Sequence, residues 1–233
     1  MKKILLSLFF SSTFLLLHSQ DCGSYFPMKP GNSYTLSSYN DKDKLTGTET
    51  YTVVSLSNDA EFTVAQLHCD IKDDKGKLTD STTYTYKCKG ADMYIDMKNF
   101  VSQQQLEAYK DMQISVSGSD MMVPGNLSAG QSLQYGSMHM DITNNNMPFA
   151  TIDVDMTNRK VQSQESITVP AGTFNSFIIT SDFSMKVATM GIGFPMTMTE
   201  KEWYSYGVGM VRSEVYNKSG KLTGYSVLTQ VVK

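Results

Sequence analysis

The chain has 233 residues, of which 40% are hydrophobic and 18% are charged, and its formal net charge is -3. A chain of this length buries a large share of its apolar surface, so core size does not limit folding. Acidic and basic residues are interspersed without a basic stripe, which phosphate binding requires. We therefore expect no nucleic acid among the partners.

The N-terminus has the pattern of an export signal. Lys2 and Lys3 precede an apolar run over residues 4–17, and small Ser19 follows. We predict a signal peptide over residues 1–19, cleaved before Gln20, and a single exported β-rich domain over residues 20–233. The apolar run is shorter than the roughly 20 residues that cross a bilayer, so we expect a protein that does not span the membrane.

The mature chain would lose two lysines and carry 18 basic against 23 acidic residues, a net charge of -5 (18 minus 23). A lipid anchor on Cys22 is disfavoured, because Gln20 and Asp21 stand where lipoprotein signals have small uncharged residues. We expect a periplasmic, outer-membrane-associated or extracellular location.

Strand-like alternation of Thr, Tyr, Val and Ile recurs from Ser33 almost to the C-terminus. One short helix is predicted over residues 102–110, with Leu106 and Tyr109 on one face. Residues 118–135 lack periodicity and are expected to cross the surface. These patterns predict an all-β fold of about a dozen strands. Its strongly curved, mainly antiparallel sheet would form a partial barrel around or beside the helix.

Three segments share one turn pattern, namely residues 40–46, 73–79 and 217–223, each ending in Lys-Leu-Thr. In each, Asn or Asp opens a type I turn and Asp or Gly takes the left-handed position. This predicts three-residue hairpin loops with a G1 bulge. Residues 169–173, Val-Pro-Ala-Gly-Thr, are expected to form a fourth such turn.

Three motifs carry a family resemblance: Cys-Gly-Ser-Tyr-Phe-Pro-Met-Lys-Pro-Gly at 22–31, Ile-Thr-Val-Pro-Ala-Gly-Thr-Phe at 167–174, and Glu-Trp-Tyr at 202–204 with Gly-Val-Gly at 207–209. In order and spacing they resemble the TapB-like family of exported bacterial domains of unknown function. The resemblance implies an exported protein whose curved sheet wraps a short helix and often encloses an apolar hollow. It implies no catalytic residue and no cofactor.

The run His68-Cys69-Asp70 contains residue types of a nucleophilic site. Successive strand residues point to opposite faces, however, so His68 is not expected to reach Cys69. His139 lies in no recognisable motif. We therefore expect no catalytic residues, no metal site and no cofactor.

Methionine is abundant, with 16 residues, and it recurs at alternate positions. Met138 and Met140 form one pair, and Met196 and Met198 another. Rows of this kind fill a core or line an adaptable apolar cavity, and these four residues are our candidates for ligand lining. A Cu(I) thioether site is a weaker alternative, because the pairs share no compact motif. The aromatic residues Tyr34, Tyr51, Tyr84, Tyr86, Trp203 and Tyr204 fit sugar stacking and ordinary strand packing equally well.

Hairpin register separates the possible disulfides. If Asp73 faces Lys77, the numbers of any two facing residues sum to 150, so Cys88 faces Phe62. Cys69 lies seven residues farther along that strand, too far from Cys88 to form a disulfide. Cys22 lies on an N-terminal segment that must dock, and Cys88 ends a strand where such a segment could pack. We predict a Cys22–Cys88 disulfide, which agrees with the resemblance, and a free, buried Cys69.

Noncatalytic binding of an apolar or amphipathic ligand in the concave side of the sheet is the leading functional hypothesis. The partner would be a lipid or an apolar protein segment. The alternative is a structural or protein-interaction module of the cell envelope without a small-molecule site. A hydrolase ranks third.

Overall fold

A computed structural model describes residues 23–26 and 28–233. The predicted signal peptide lies outside the described residues. The strands are β1 (Ser33–Asn40), β2 (Leu45–Asp59), β3 (Phe62–Asp73), β4 (Leu78–Lys89), β5 (Asp92–Ile95), β6 (Gln113–Ser119), β7 (Met121–Val123), β8 (Gly136–Asn144), β9 (Met147–Val169), β10 (Gly172–Thr189), β11 (Ile192–Ser205), β12 (Gly209–Tyr216) and β13 (Leu222–Val232). A 3-10 helix (Met97–Phe100) and the single-turn helix α1 (Gln103–Glu107) separate β5 from β6.

The thirteen strands form one antiparallel sheet in the order β6-β8-β9-β10-β11-β12-β13-β1-β2-β3-β4-β5-β7. Its two end strands are neighbours in the chain, because β6 ends at Ser119 and β7 begins at Met121. The sheet therefore curls until its ends almost meet, which confirms the predicted partial barrel. Near the seam, a methyl group added at Gly136 of β8 would lie 3.0 Å from the Met121 side chain.

The 3-10 helix and α1 cover part of the concave face. Phe100 packs on Phe183 at a ring-centroid distance of 5.8 Å, and Tyr109 packs on Phe149 at 6.3 Å. This placement confirms the expected position of the helix, but α1 ends at Glu107 rather than Lys110. The expected surface crossing over residues 118–135 is confirmed only for its second half, where residues 128–130 are exposed. Its first half contains β7, and Val123 of that strand is fully buried.

The three Lys-Leu-Thr hairpins adopt the same turn. The Oδ1 atoms of Asn40, Asp73 and Asn217 each accept two backbone N–H bonds within the loop. The left-handed position is held by Asp43, Gly76 and Gly220, with φ of 57°, 79° and 77°. Thr46, Thr79 and Thr223 each donate a hydroxyl bond to a carbonyl across the strand pair. A further register shift lies just beyond each turn, on the strand pair itself, and the predicted loop does not account for it.

The fourth turn differs from the prediction. Val169 faces Gly172 directly, so the loop contains only Pro170 and Ala171, and no bulge follows it. The end of this long hairpin folds onto the barrel wall, where the Ala171 N–H donates to the Leu228 carbonyl. It helps to enclose a second apolar cluster around Trp203, the single tryptophan.

The β3–β4 register is shifted by one residue from the prediction beyond the turn. Cys69 faces Thr82 and Cys88 faces Thr63, so facing residues sum to 151 rather than 150. The bulge between Ile71 and Lys72 inserts the extra residue. Cys69 and Cys88 still lie far out of register, and Cys69 is a buried free thiol, as expected.

Candidate functional site

The barrel contains a partly open cavity of about 270 Å³ between the concave face of the sheet and the 3-10 helix. Its aromatic and polar lining consists of Phe26, Tyr34, Glu49, Tyr51, Tyr84, Tyr86, Asn99, Phe100, Glu202 and Tyr204. Its aliphatic and thioether lining consists of Leu36, Met93, Ile95, Met121 and Met210. We call this space the tyrosine cavity, because five tyrosines contribute to it.

Strand pairing brings three of these tyrosines into one stack. Tyr34 and Tyr51 face each other across the β1–β2 hairpin, with ring centroids 4.7 Å apart and planes 5° apart. Tyr84 continues the row at 5.6 Å from Tyr51. Burial raises the pKa of all three phenols, well above the ordinary value for Tyr34 and Tyr51. Their hydroxyls therefore remain neutral hydrogen-bonding groups in the physiological range.

The N-terminal segment closes one end of the cavity. Phe26 contacts the rings of Tyr34 and Tyr86 edge-on, at 5.3 and 5.2 Å. The Ser24 N–H donates to the Ala91 carbonyl, and the Gly23 N–H donates to the Gly90 carbonyl at 3.4 Å. This segment thus docks beside the end of β4, where the sequence led us to expect it. Cys22 lies outside the described residues, so its disulfide with Cys88 stays a prediction.

Two carboxylates face the cavity. The Tyr51 hydroxyl donates to Glu49 Oε2 at 2.6 Å, and the Tyr204 hydroxyl donates to Glu202 Oε1 at 3.4 Å. Burial raises the pKa of Glu202, and nearby Arg159 offsets this only in part. Glu200, two residues earlier on β11, has its pKa raised to about 8 by burial and by the proximity of Glu202.

Arg159 is a buried cation whose charge acts on Glu202, and only 3% of its surface is exposed. Its Nη1 atom donates to the carbonyls of Met122 and Gln134 at 2.6 and 2.7 Å. Met122 belongs to the end strand β7, so Arg159 caps an edge carbonyl where the barrel closes. Burial lowers the pKa of the guanidinium. Among the described residues, Nε and Nη2 of Arg159 have no hydrogen-bond partner.

The His68-Cys69-Asp70 run is divided between the two faces of β3, as the alternation predicted. Cys69 is fully buried, and burial raises the pKa of its thiol to about 12. His68, Asp70 and Ser81 meet on the opposite face. Asp70 and Ser81 both contact the same ring nitrogen, Nε2 of His68, each at 3.2 Å. A relay instead needs the acid and the nucleophile on different nitrogens.

His139 contacts two carboxylates on the outside of the barrel. Its Nδ1 lies 2.5 Å from Asp153 and its Nε2 lies 3.1 Å from Asp141. The hydrogen bond with Asp153 is the main cause of a raised pKa at His139. Across residues 23–26 and 28–233, no three His, Cys, Asp or Glu side chains are arranged to hold a metal ion.

The four candidate methionines share the concave face but not the tyrosine cavity. Met138 and Met140 are 3% and 2% exposed and belong to the main core. Met198 is half-buried against that core, and Met196 is exposed. Pairing across β8, β9, β10 and β11 produces one row, Met138-Val154-Met185-Met196. None of the four lines the tyrosine cavity. Their assignment to ligand binding stays a prediction.

A nearly closed antiparallel barrel with an internal tyrosine-lined cavity defines the class of fold. Residues 29–228 match the DUF3108-like family model, so the chain belongs to the DUF3108-like family. This family, rather than the TapB-like group, is the one that the comparison shows. No curated protein matches the chain.

Two solved structures share the fold. One is a predicted exported protein of Bacteroides fragilis with a YmcC-like fold, at 22% identity and a TM-score of 0.67. The other is a predicted lipoprotein of Parabacteroides distasonis, at 21% identity and a TM-score of 0.69. Each alignment covers 91% of this chain and 100% of the other chain. In the described part of the chain, no helix has the length and apolarity needed to cross a membrane.

Proposed function

We propose that this protein is a noncatalytic binding protein of the cell envelope that holds a small amphipathic ligand in the tyrosine cavity. The cavity itself is the observation that carries the proposal. Its volume of about 270 Å³ lies just below the usual range for small-molecule sites, which begins at about 300 Å³, so the ligand would be small.

The chemistry of the lining supports an amphipathic ligand. Phenyl rings and thioethers offer apolar contact, while the tyrosine hydroxyls and two carboxylates offer a few polar groups that fix orientation. Because these groups project from neighbouring strands of one sheet, the site is largely formed before a ligand arrives.

The envelope location is supported by the leader pattern at residues 1–19 and by the two structural neighbours, which are described as an exported protein and a lipoprotein. The narrower TapB-like resemblance belongs to the same proposal. Fractionation of cells that produce the full chain tests the envelope location. Recovery with the envelope, with residues 1–19 removed, is expected, whereas an uncleaved cytoplasmic protein would contradict it.

Native mass spectrometry of protein isolated from its source tests the binding function. We expect a discrete small adduct that is released on activation. Met210→Trp, which places a larger side chain at the cavity wall, should abolish the adduct. Met147→Trp is the matched control, because Met147 is 67% exposed and lies outside the cavity. An apo mass at every expression level would refute the proposal.

One observation favours the second candidate, a protein-interaction module. The turn between β10 and β11 exposes Met190, Ile192 and Phe194, with 77%, 72% and 85% of their surfaces accessible. Exposed apolar residues grouped at one hairpin tip are typical of contact surfaces. Photo-crosslinking from position 194 in intact cells tests this candidate, with position 218 at a polar turn as the control. A discrete product from position 194 alone supports it, and equal labelling from both positions argues against it.

A further inference from the structure

We infer that the ligand of the tyrosine cavity carries one amine group in its cationic form, and that the Glu202 carboxylate binds it. This inference rests on the proposed binding function and specifies the charge of the ligand.

The acidic groups of the cavity wall disfavour an anionic ligand. Among the described lining residues, Glu49 and Glu202 carry carboxyl groups, while no lysine, arginine or histidine takes part. A fatty acid or a phosphate ester would place its negative charge beside two carboxyl groups, and the described lining offers no cation to receive it. In a buried site such a pairing costs far more than it would in water.

Arg159 does not supply the missing positive charge inside the cavity. It is buried next to the seam, and both hydrogen bonds of its Nη1 atom go to backbone carbonyls. It is not among the residues that line the cavity, and within the described part of the chain none of its three nitrogen atoms is hydrogen-bonded to Glu202. Its charge therefore acts on Glu202 at a distance, and an incoming ammonium can still bind the carboxylate.

Glu202 is the better placed of the two acids. It is 92% buried, since 8% of its surface is exposed, and its hydrogen bond from Tyr204 is long at 3.4 Å. Glu49, by contrast, already accepts a 2.6 Å bond from Tyr51 and is only half-buried. An ammonium beside Glu202 would gain a charge-assisted hydrogen bond in a dry environment, with tyrosine rings nearby that also attract cations.

The surroundings of Glu202 predict a pH dependence. Two other acidic groups lie near Glu202: the Glu200 carboxyl on the same strand and the Tyr86 phenol on β4. The Tyr204 hydroxyl donates a hydrogen bond to Glu202, and Arg159 on β9 is the nearby cation. Burial favours the protonated acid, and an ammonium favours the carboxylate. Binding an amine should therefore release a proton, and amine affinity should rise as the pH rises through the pKa of the free acid.

The experiment compares three probes of one size on the full mature chain: phenethylamine, phenethyl alcohol and phenylacetate. Titration calorimetry at several pH values should show phenethylamine binding at least about tenfold more tightly than the alcohol, with phenylacetate weakest. Only the amine should gain affinity with rising pH.

Glu202→Gln should reduce amine affinity to that of the alcohol and leave alcohol binding unchanged. Glu107→Gln, at an exposed position on α1, is the matched control and should change neither. If Glu202→Gln fails to fold, the pH profile of the unmodified protein decides. Equal binding of amine and alcohol, or tightest binding of phenylacetate, overturns the inference but leaves cavity binding intact. If no probe binds, the inference also fails, and native mass spectrometry decides the proposed function separately.

Discussion

Replacing Arg159 with methionine should destabilise the barrel at its seam. The substitution keeps an unbranched side chain of similar length but removes the guanidinium, so the carbonyls of Met122 and Gln134 lose their donor. Hydrogen bonds to charged groups contribute about 1.5–3 kcal/mol each, so two of them amount to about 3–6 kcal/mol. Relief from burying the charge offsets part of this loss. We therefore expect a net loss of about 3 kcal/mol, or a fall in Tm of about 6–12 °C for a domain of this size.

Urea unfolding followed by the fluorescence of Trp203 measures this change, because that residue is the single tryptophan and is only 3% exposed. Lys160→Met is the matched control. It removes the adjacent cation from an exposed position and should change stability by less than about 0.5 kcal/mol. A loss at Arg159 no larger than the control would refute the reasoning, because it would show that the two carbonyls do not depend on the guanidinium.

Three other outcomes follow from the described geometry. The Glu200 carboxyl has its pKa raised from 4.5 to about 8, so between these pH values the folded state holds a proton that the unfolded state releases. The free energy of unfolding should therefore fall as the pH rises across this window. Urea titrations at several pH values measure this slope, and Glu200→Gln should flatten it. The Cys69 thiol, with its pKa near 12, should react with a thiol reagent at pH 8 at least about 100-fold more slowly in the folded than in the unfolded chain; equal rates would contradict its burial. Gly76→Ala should cost about 1 kcal/mol, because φ is 79° there and no atom within 4 Å of the added methyl would compensate; Lys75→Ala, at ordinary φ, should be nearly neutral by thermal melting.

Local turn chemistry was readable from the sequence because each Lys-Leu-Thr hairpin is determined by residues within seven positions. An Asn or Asp side chain that accepts two loop N–H groups and a residue that tolerates φ > 0 define the turn without distant contacts. The exact pairing beyond the turn was less accessible. The bulge between Ile71 and Lys72 shifts every pair farther from the turn by one residue, and its position depends on the geometry of both strands.

Arg159 shows why the inward and outward alternation of side chains cannot be extrapolated along a long strand. Met156 and Val161 both belong to the main core although they are five residues apart, so the alternation is interrupted between them. Asn158 has a φ of 51°, and the β9–β10 register shifts in the same region. The irregularity turns Arg159 inward, where simple alternation from Met156 would place it outside. No local pattern in Thr-Asn-Arg-Lys announces this change.

The tyrosine cavity could not be predicted from the sequence either, although its aromatic residues stand out in the strand patterns. Pairing of Tyr34 with Tyr51 follows from one hairpin, and Tyr84 and Tyr86 alternate on another strand. Tyr204 joins them only because β11 and β12 lie on one side of β13 and β1, while β2, β3 and β4 continue on the other. That strand order arises from closure of the whole sheet. The methionine rows are local patterns that can be recognised in the sequence, so the prediction of ligand lining was based on them instead.

The two features that matter most for function oppose each other energetically. Arg159 stabilises the seam by capping carbonyls, and the bonds that do so hold its guanidinium outside the cavity lining. Glu202 consequently stays in a buried wall where, among the described residues, its hydrogen-bond partner is the Tyr204 hydroxyl and not a cation, which is costly for a carboxylate. An apolar side chain at that position would pack the barrel without this penalty. A buried acid with a perturbed pKa that faces an internal cavity is instead the arrangement expected of a binding group, and a cationic ligand would remove the penalty that the folded chain alone sustains.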